Sequence, residues 1–364
     1  MAHWLTSPEL ETWFNRHEAR ATSTLGMTMV QALTGQELAD FLPAGWGIRN
    51  LTLGYSPTPG SARLRSQIGG RHDLGPDQVL LTTGTTEANH SVLRAILGPS
   101  TNVVLQDPLY YAFENLAQAS GATVKRWSVP LEPTTAADLS TLERLIDHET
   151  RLVVLNSPHN PTGRVWDDET LGRIVRRVEE TPHAHLLVDE IYRPTAIRSA
   201  VHLSDRVIVT DGVSKRWSLP GLRLGWVVTR SNWMSRILAV HEHATCCPAR
   251  PSEQILEALW PVLGPLEATH RQLASRNRAR FHAWMQRQRT PVRVVQGPVG
   301  VMALVATPTP DDRRVAERLV DRHGVFTIPG SLLGCPGWLR IGMGHRHLPD
   351  LDEALGRLEA GLNA

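Results

Sequence analysis

A lysine and an arginine lie close together in the segment DGVSKRWSLPGLRLGW, which runs from Asp211 to Trp226. Lys215 follows Ser214, and Arg223 comes eight residues later inside an otherwise apolar run. Burying a lysine side chain is unfavourable unless its amine is paired or chemically used. An arginine offers a rigid fork of donors that fits a phosphate or a carboxylate. The segment is therefore either a surface turn with two charges or part of a site that uses an amine and binds an anion.

Two further segments present uncharged polar groups after an apolar strand pattern. In TTGTTEAN (residues 82–89), Thr85 and Thr86 begin a predicted helix directly after a glycine. Helix N-termini attract anions, so this pattern suits a phosphate, although a threonine that only caps the helix explains it equally well. In NSPHNPTGRV (residues 156–165), two X-Pro steps predict a rigid turn that presents Asn160. A plain β-turn is the alternative.

Two segments place a charge where an apolar strand is expected to bury it. In LLVDEIY (residues 186–192), Asp189 ends the strand and Tyr192 follows three residues later. A buried carboxylate needs a cation, unless this one merely caps the next segment. In WLRIGMG (residues 338–344), Arg340 needs a carboxylate partner, from a ligand or from a structural salt bridge. A lysine for a Schiff base, an aspartate for a pyridinium nitrogen and a phosphate cradle together describe a pyridoxal phosphate (PLP) site.

Strand and helix patterns alternate through most of the chain, from VLLTTG at residue 79 to LRLGWVVT at residue 229. This alternation predicts an α/β fold with a mostly parallel sheet that helices cover on both faces. Ligands bind such sheets at the carboxyl ends of the strands. Thr85, Asn160, Asp189 and Lys215 all lie at or just past the ends of strand patterns, so we expect them at one edge.

The pattern changes after about residue 231, where long helical stretches (255–270 and 273–289) precede short strands and a final helix. We therefore expect a large three-layer α/β/α domain at residues 51–240, which would bind the cofactor. A smaller α+β domain is expected at residues 241–364. Residues 1–50 are predicted to pack on the small domain.

Composition narrows the possible functions. The chain has 364 residues, 41% of them hydrophobic, and a net charge of +2, so nucleic acid and membrane partners are not expected. No apolar run is long enough to span a bilayer, and the N-terminus has no apolar signal core. The three cysteines do not form a disulfide framework, so we expect a cytoplasmic protein. The HEH and HRH motifs (residues 241–243 and 345–347) lack a third ligand, and no metal is expected.

These motifs together resemble those of the class I/II aminotransferase family, PLP enzymes of fold type I. SKRWSLPGLRLGW is similar to the family's Ser-Lys…Gly-Leu-Arg-x-Gly block, NSPHNPTG to its Asn-Pro-x-Asn-Pro-Thr-Gly block, and VDEIY to its Asp-Glu-x-Tyr block. The resemblance extends from about Leu51 to the C-terminus. It implies the three-layer fold described above and PLP as cofactor.

The resemblance also implies a role for each residue around the cofactor ring. Lys215 would form the Schiff base and then move the substrate's α-proton, while Asp189 would pair with the pyridine nitrogen. Tyr192 and Asn160 would hydrogen-bond the ring's phenolic oxygen. Tyr110, in DPLYYAF, would stack on the ring face.

Further implied roles concern the phosphate and the substrate. Phosphate ligands are expected from this chain and from a partner chain in a homodimer with composite sites: Thr85, Thr86, Ser214 and Arg223, with Tyr55 of the partner chain. The substrate α-carboxylate would bind Arg340 as a bidentate pair, beside Asn160. Substrates would then be an amino acid and a keto acid.

Three positions depart from the family pattern. Gly212 stands where many relatives carry a phosphate-binding serine or threonine, and Arg216 and Trp217 replace small residues, which could alter the substrate pocket. The block at residues 22–38 resembles more loosely a subgroup that includes capreomycidine synthase, used in peptide-antibiotic pathways.

We therefore expect an aminotransferase. The alternative is elimination, replacement or cyclisation at Cβ or Cγ, for example of an arginine derivative. A DNA-binding regulator is disfavoured because no helix-turn-helix pattern precedes the core.

Overall fold

The computed structural model describes residue 5 and residues 7–288 and 292–363; residues 289–291, at the end of one predicted helix, lie outside the described part. The helices in the described part are α1 (Glu9–His17), α2 (Gly35–Ala39), α3 (Ala62–Gly70), α4 (Gly84–Ile96), α5 (Tyr111–Ala119), α6 (Leu139–Leu145), α7 (Asp168–Glu180), α8 (Met234–Ala244), α9 (Arg250–Leu259), α10 (Leu263–Gln286), α11 (Asp312–His323) and α12 (Leu348–Leu362). None of them combines the length and apolar character that crossing a bilayer requires.

The strands in the same residues form two large groups and one short pair. They are β1 (Ser23–Thr24), β2 (Val79–Thr82), β3 (Asn102–Asp107), β4 (Thr123–Ser128), β5 (Thr150–Asn156), β6 (His185–Asp189), β7 (Val207–Gly212), β8 (Gly225–Thr229), β9 (Val294–Val295), β10 (Met302–Ala306), β11 (Val325–Phe326), β12 (Ile328–Pro329) and β13 (Trp338–Gly342).

Seven strands form the main sheet, in the order β2-β8-β7-β6-β5-β3-β4. Strand β8 is antiparallel to both of its neighbours, and the other strands run in one direction. The predicted mostly parallel sheet is therefore confirmed. Because β8 runs backwards, the residues that precede it lie at the same edge as the carboxyl ends of the parallel strands. Arg223 thereby reaches the edge where Lys215 lies.

Both faces of this sheet are covered. Leu81 and Val153 point to one apolar layer, and their neighbours Leu80 and Leu152 point to the other, as the two-residue period of a strand requires. Helices α4, α5 and α8 cover the second face, and α3, α6 and α7 the first. Strands buried on both sides need continuous apolar sequence, which is why these segments show little alternation.

A smaller antiparallel sheet, in the order β12-β13-β10-β9, packs with α11 and α12. Strand β1 of the N-terminal segment pairs with β11, placing Ser23 opposite Val325. Helix α10 joins the two cores, since Leu263 packs under the main sheet and Phe281 packs in the small domain. Helix α9 also packs under the main sheet. We therefore propose that the domains divide within α10 rather than at residue 241.

The two predicted helical stretches at 255–270 and 273–289 are divided differently in the structure. The break falls at Trp260–Val262, a short 3-10 turn that contains Pro261. Proline lacks an N–H group and clashes with the preceding turn, whereas Arg271 and Gln272 favour helix. Helix α10 therefore runs unbroken for 24 residues.

Candidate active site

A cavity of about 510 Å³ opens at the carboxyl edge of the main sheet, between that sheet, the small domain and the N-terminal segment. Ten residues expected from the sequence line it: Thr85, Thr86, Tyr110, Asn160, Asp189, Tyr192, Ser214, Lys215, Arg223 and Arg340. They follow β2, β3, β5, β6 or β7, end β6, precede β8, or lie on β13. The eleventh, Tyr55, does not line the cavity of this chain, and its side chain is 93% exposed.

Lys215 lies three residues past the end of β7, with its side chain facing the cavity. Desolvation, together with the nearby charges of Arg340 and Arg223, lowers the pKa of its amine to about 8. The Nζ atom lies 5.9 Å from the centroid of the Tyr192 ring. A lowered pKa leaves more of the amine neutral near physiological pH, which is the form that attacks an aldehyde.

Asp189 ends β6 as a buried carboxylate held by uncharged donors. Asn89 Nδ2 donates to Oδ2 at 3.0 Å, and the backbone N–H of Ile191 donates to Oδ1 at 3.0 Å. Asn89 is itself fixed, because Thr210 donates to its Oδ1 at 2.6 Å. Burial raises the pKa of Asp189 to about 7 despite these hydrogen bonds. A cation placed against this carboxylate would lower that pKa again.

The start of α4 is shaped to receive a ligand. Gly84 has a φ of 79°, and a Cβ built there would lie 2.5 Å from Nη2 of Arg223. The hydroxyl oxygen of Thr85 is buried and has no hydrogen-bond partner among the described residues. An unpaired hydroxyl, a helix N-terminus and an arginine at one point form a set of donors that fits a phosphate. The residues present therefore fit the phosphate of PLP.

Gly212, at the end of β7, lies next to Thr85 at the start of α4. A Cβ built on Gly212 would lie 2.7 Å from Oγ1 of Thr85 and 2.8 Å from the carbonyl oxygen of Leu224. A Cβ built on Gly225, opposite it on β8, would meet the backbone of α4 at 2.5 Å. The serine or threonine of many relatives therefore has no room at position 212, because α4 sits close against the sheet.

Arg340 is a buried arginine without an acidic partner in the described part of the chain. Its Nη1 donates to Asn160 Oδ1 at 3.1 Å and its Nη2 to the carbonyl of Gly26 at 3.2 Å. Its Nε has no partner among those residues. Desolvation lowers the pKa of this guanidinium, so an anionic ligand would stabilise it. The structural salt bridge considered from the sequence is not found in the described residues.

The N-terminal segment closes the cavity, and the sequence does not identify which of its residues do so. The hydroxyl of Tyr192 donates to Thr28 at 3.2 Å, and that of Tyr110 donates to Glu11 on α1 at 3.3 Å. Glu18, just after α1, also lines the cavity. Nothing in the sequence distinguishes α1 from any short amphipathic helix, so only the fold reveals its position.

Arg216 and Trp217 do not line this cavity. Arg216 forms a buried ion pair with Asp211, at 2.5 Å, and donates to the carbonyl of Arg193 at 2.6 Å. Trp217 is fully buried and donates from Nε1 to the carbonyl of Leu263 at 3.1 Å. Trp217 therefore fills the core below the turn, whereas Arg216 lines a smaller neighbouring cavity of about 90 Å³ together with Tyr192 and Lys215.

The two histidines of the HEH motif (residues 241–243) make contacts within the protein. His241 contacts Glu87, and His243 contacts the carbonyl of Ala239 within its own helix. Among the described residues, no three His, Cys, Asp or Glu side chains are close enough to hold a metal ion.

Comparisons with known proteins identify the family of this chain. The sequence model of the aminotransferase class I and II family matches residues 38–358. Capreomycidine synthase from Streptomyces vinaceus is 28% identical over 98% of this chain and 94% of that protein. A PLP-dependent aminotransferase from Streptococcus suis aligns with a TM-score of 0.90 and 25% identity, over 99% of this chain and 98% of the other. The PLP-dependent cyclase OrfR aligns with a TM-score of 0.89 and 25% identity, over 98% of this chain and 97% of the other. The chain therefore belongs to the class I and II aminotransferase family of PLP enzymes.

Proposed function

We propose that this protein moves an amino group from an amino acid to a keto acid. One observation carries the proposal: three ionisable side chains, Lys215, Asp189 and Arg340, line one cavity, and none has a counter-ion among the described residues. Leaving a charge unpaired in a protein interior is unfavourable, so such groups indicate a ligand that completes them. An aldehyde, a pyridinium and a substrate carboxylate match the three.

Each residue has a defined task in this proposal. When bound, PLP supplies a ring that withdraws electrons from the substrate's Cα–H bond. Lys215 Nζ would hold the aldehyde of the cofactor between turnovers and would carry the proton away from the substrate's Cα. Asp189 would pair with the pyridine nitrogen and favour its protonated form. Arg340 binds the α-carboxylate and so orients the Cα–H bond.

The phosphate and ring contacts follow the same proposal. The phosphate would bind at the start of α4, to Thr85, Thr86, Ser214 and Arg223. Tyr110 would stack on the ring, while Tyr192 and Asn160 would hydrogen-bond its phenolic oxygen. These roles rest on the position of each side chain along the cavity.

A homodimer is part of this proposal. Ile48, Leu53 and Tyr55 lie in one segment and expose 83%, 85% and 93% of their surface. Large apolar side chains exposed together are typical of an interface. In a symmetric dimer, Tyr55 would reach the partner's phosphate site. Replacing Tyr55 with alanine should weaken PLP binding in the dimer fraction separated by size exclusion.

A cytoplasmic location is also proposed. Cys246, Cys247 and Cys335 are all free thiols, which suits a reducing compartment. Fractionation of the cells that produce the protein tests this location, and the protein is expected in the cytoplasmic fraction.

A second candidate is elimination or cyclisation at Cβ or Cγ of an amino acid with a cationic side chain, such as an arginine derivative. Glu11 and Glu18 bring two carboxylates to the cavity that Lys215 also lines, and Glu11 accepts from the hydroxyl of Tyr110. Burial raises the pKa of Glu18. Two of the similar proteins, capreomycidine synthase and the cyclase OrfR, carry names that fit such chemistry.

Product analysis separates the two candidates. The holoenzyme is incubated with a panel of amino acids and with 2-oxoglutarate or pyruvate, and the products are identified by mass spectrometry. Transamination yields a new keto acid together with glutamate or alanine. Loss of water from a hydroxylated basic amino acid, without any keto acid, would reject transamination and support the second candidate.

A further inference from the structure

The His241 side chain is completely buried near the end of α8, and both of its ring nitrogens face acceptors. Nδ1 lies 2.7 Å from Oε1 of Glu87, and Nε2 lies 3.0 Å from the carbonyl oxygen of Thr58. A neutral imidazole carries a proton on one nitrogen only and can donate only once. Satisfying both contacts therefore requires the doubly protonated, positively charged ring.

Glu87 is ionised in this arrangement. Its carboxylate accepts from the hydroxyl of Thr245 at 2.6 Å and from the backbone N–H of Thr83, besides the contact with His241. Burial acts to raise the pKa of Glu87, but these hydrogen bonds outweigh it and the pKa lies below its ordinary value. The Glu87–His241 pair is thus a buried ion pair.

The Glu87–His241 pair lies at the end of α4 where the phosphate is proposed to bind. Glu87 lies in the first turn of α4, and its bond to Thr83 caps the same helix end that carries Gly84 and Thr85. A bare carboxylate there would repel a phosphate bound two residues away and would compete with it for the helix N-terminus. A cation paired with the carboxylate removes most of this repulsion.

We propose that protonated His241 neutralises Glu87 and thereby allows the start of α4 to bind the cofactor's phosphate. His241 is a positioning residue, since it acts through Glu87 and does not line the cavity. Its second contact, with Thr58, also links the segment that follows Tyr55 to α8. This inference rests on the proposed function, because it assumes that the cradle binds PLP.

The test compares PLP with pyridoxal, which lacks the phosphate, in binding titrations followed by absorbance. His241→Gln leaves the Glu87 carboxylate without its cation, so its PLP dissociation constant should rise by about tenfold or more, while that for pyridoxal stays within about twofold. Glu87→Gln removes the repelling charge and should bind PLP at least as tightly as the wild type. The double variant should return to within about threefold of the wild type.

A purely structural role predicts a different pattern. In that case both single variants bind PLP and pyridoxal more weakly, by similar factors. The double variant then binds PLP no more tightly than either single variant. That result, or a tenfold loss of PLP affinity in Glu87→Gln, would overturn the inference. If the wild type itself binds neither PLP nor pyridoxal, the proposed function fails instead, so the two failures are distinguishable.

A second measurement needs no variant and therefore does not depend on whether His241→Gln folds. Neutron diffraction of the wild-type protein locates the ring protons directly. Deuterium on both Nδ1 and Nε2 of His241 is expected, and a single deuterium would contradict the inference.

Discussion

Arg340 on β13 donates from Nη1 to Asn160 Oδ1 at 3.1 Å, which joins the small domain to the turn after β5. Asn160 is held in turn, because its backbone N–H donates to Asn156 Oδ1 at 2.7 Å. The large domain therefore fixes the orientation of a guanidinium that the small domain carries. A carboxylate bound to Arg340 would hold the two domains together at the reacting carbon.

Replacing Arg340 with lysine tests this arrangement. Lysine keeps the charge but loses the two-pronged contact and the bond to Asn160, so KM for the amino acid should rise by about 10- to 100-fold. Steady-state kinetics measures the effect. Arg314→Lys, at an exposed arginine of α11, is the matched control and should behave as the wild type. An unchanged KM in Arg340→Lys would show that the carboxylate binds elsewhere.

Asp189→Asn removes the charge opposite the proposed pyridinium and keeps the size of the side chain. Removing one partner of a buried ion pair costs about 3 kcal/mol or more, so the rate of Cα proton removal should fall at least about a hundredfold. Exchange of the α-hydrogen in heavy water, followed by NMR, reports that step. The exposed Asp205→Asn serves as control. Hydrogen exchange at the wild-type rate would show that Asp189 does not assist removal of the Cα proton.

The pKa of Lys215 sets a pH dependence for cofactor uptake. Burial and the charges of Arg340 and Arg223 lower that pKa to about 8, so the reactive neutral amine should appear as the pH rises through about 8. The rate at which apoenzyme takes up PLP should therefore increase through this range. Arg340→Gln removes one lowering charge and should move the midpoint to higher pH, whereas Arg314→Gln should leave it unchanged. A midpoint that moves to lower pH would contradict the assignment.

Gly212→Ser should not restore a phosphate hydroxyl, although many relatives carry serine there. Its Cβ would lie 2.7 Å from Thr85 Oγ1 and would push α4 away from the sheet. Overpacking of this kind costs about 1–3 kcal/mol. We expect a lower melting temperature and weaker PLP binding, measured by thermal denaturation and absorbance. Gly221→Ala, where a Cβ meets nothing within 4 Å, should be neutral. Tighter PLP binding by Gly212→Ser would refute the steric explanation.

Several features of the site follow from sequence because a strand end and a polar residue leave a local signal. Asp189 ends one buried run and Lys215 lies three residues past another, and parallel strands bring their ends to one edge whatever their separation along the chain. The reversed direction of β8 is not visible in the sequence, yet it brings Arg223 to that edge.

Other parts of the site depend on long-range packing and left no such signal. Asn89 reads as an ordinary polar residue of α4, and only the fold shows that it reaches Asp189, one hundred residues away. Helix α1 lies over the cavity because Trp13 packs in the small-domain core, a contact between segments more than 300 residues apart. The predicted break in α10 was wrong because Arg271 and Gln272 favour helix, whereas Pro261 lies in the short turn that separates α9 from α10.

The most direct test of the whole account is to find which amine holds the cofactor. The chain contains only two lysines, Lys125 and Lys215, and Lys125 is paired with Asp147 at 2.5 Å on the sheet edge. The holoenzyme is reduced with borohydride, digested and analysed by mass spectrometry. The account predicts the reduced PLP adduct on the peptide that carries Lys215, in the wild type and in Lys125→Arg, and none in Lys215→Ala. An adduct on Lys125 alone, or no adduct at all, would contradict it.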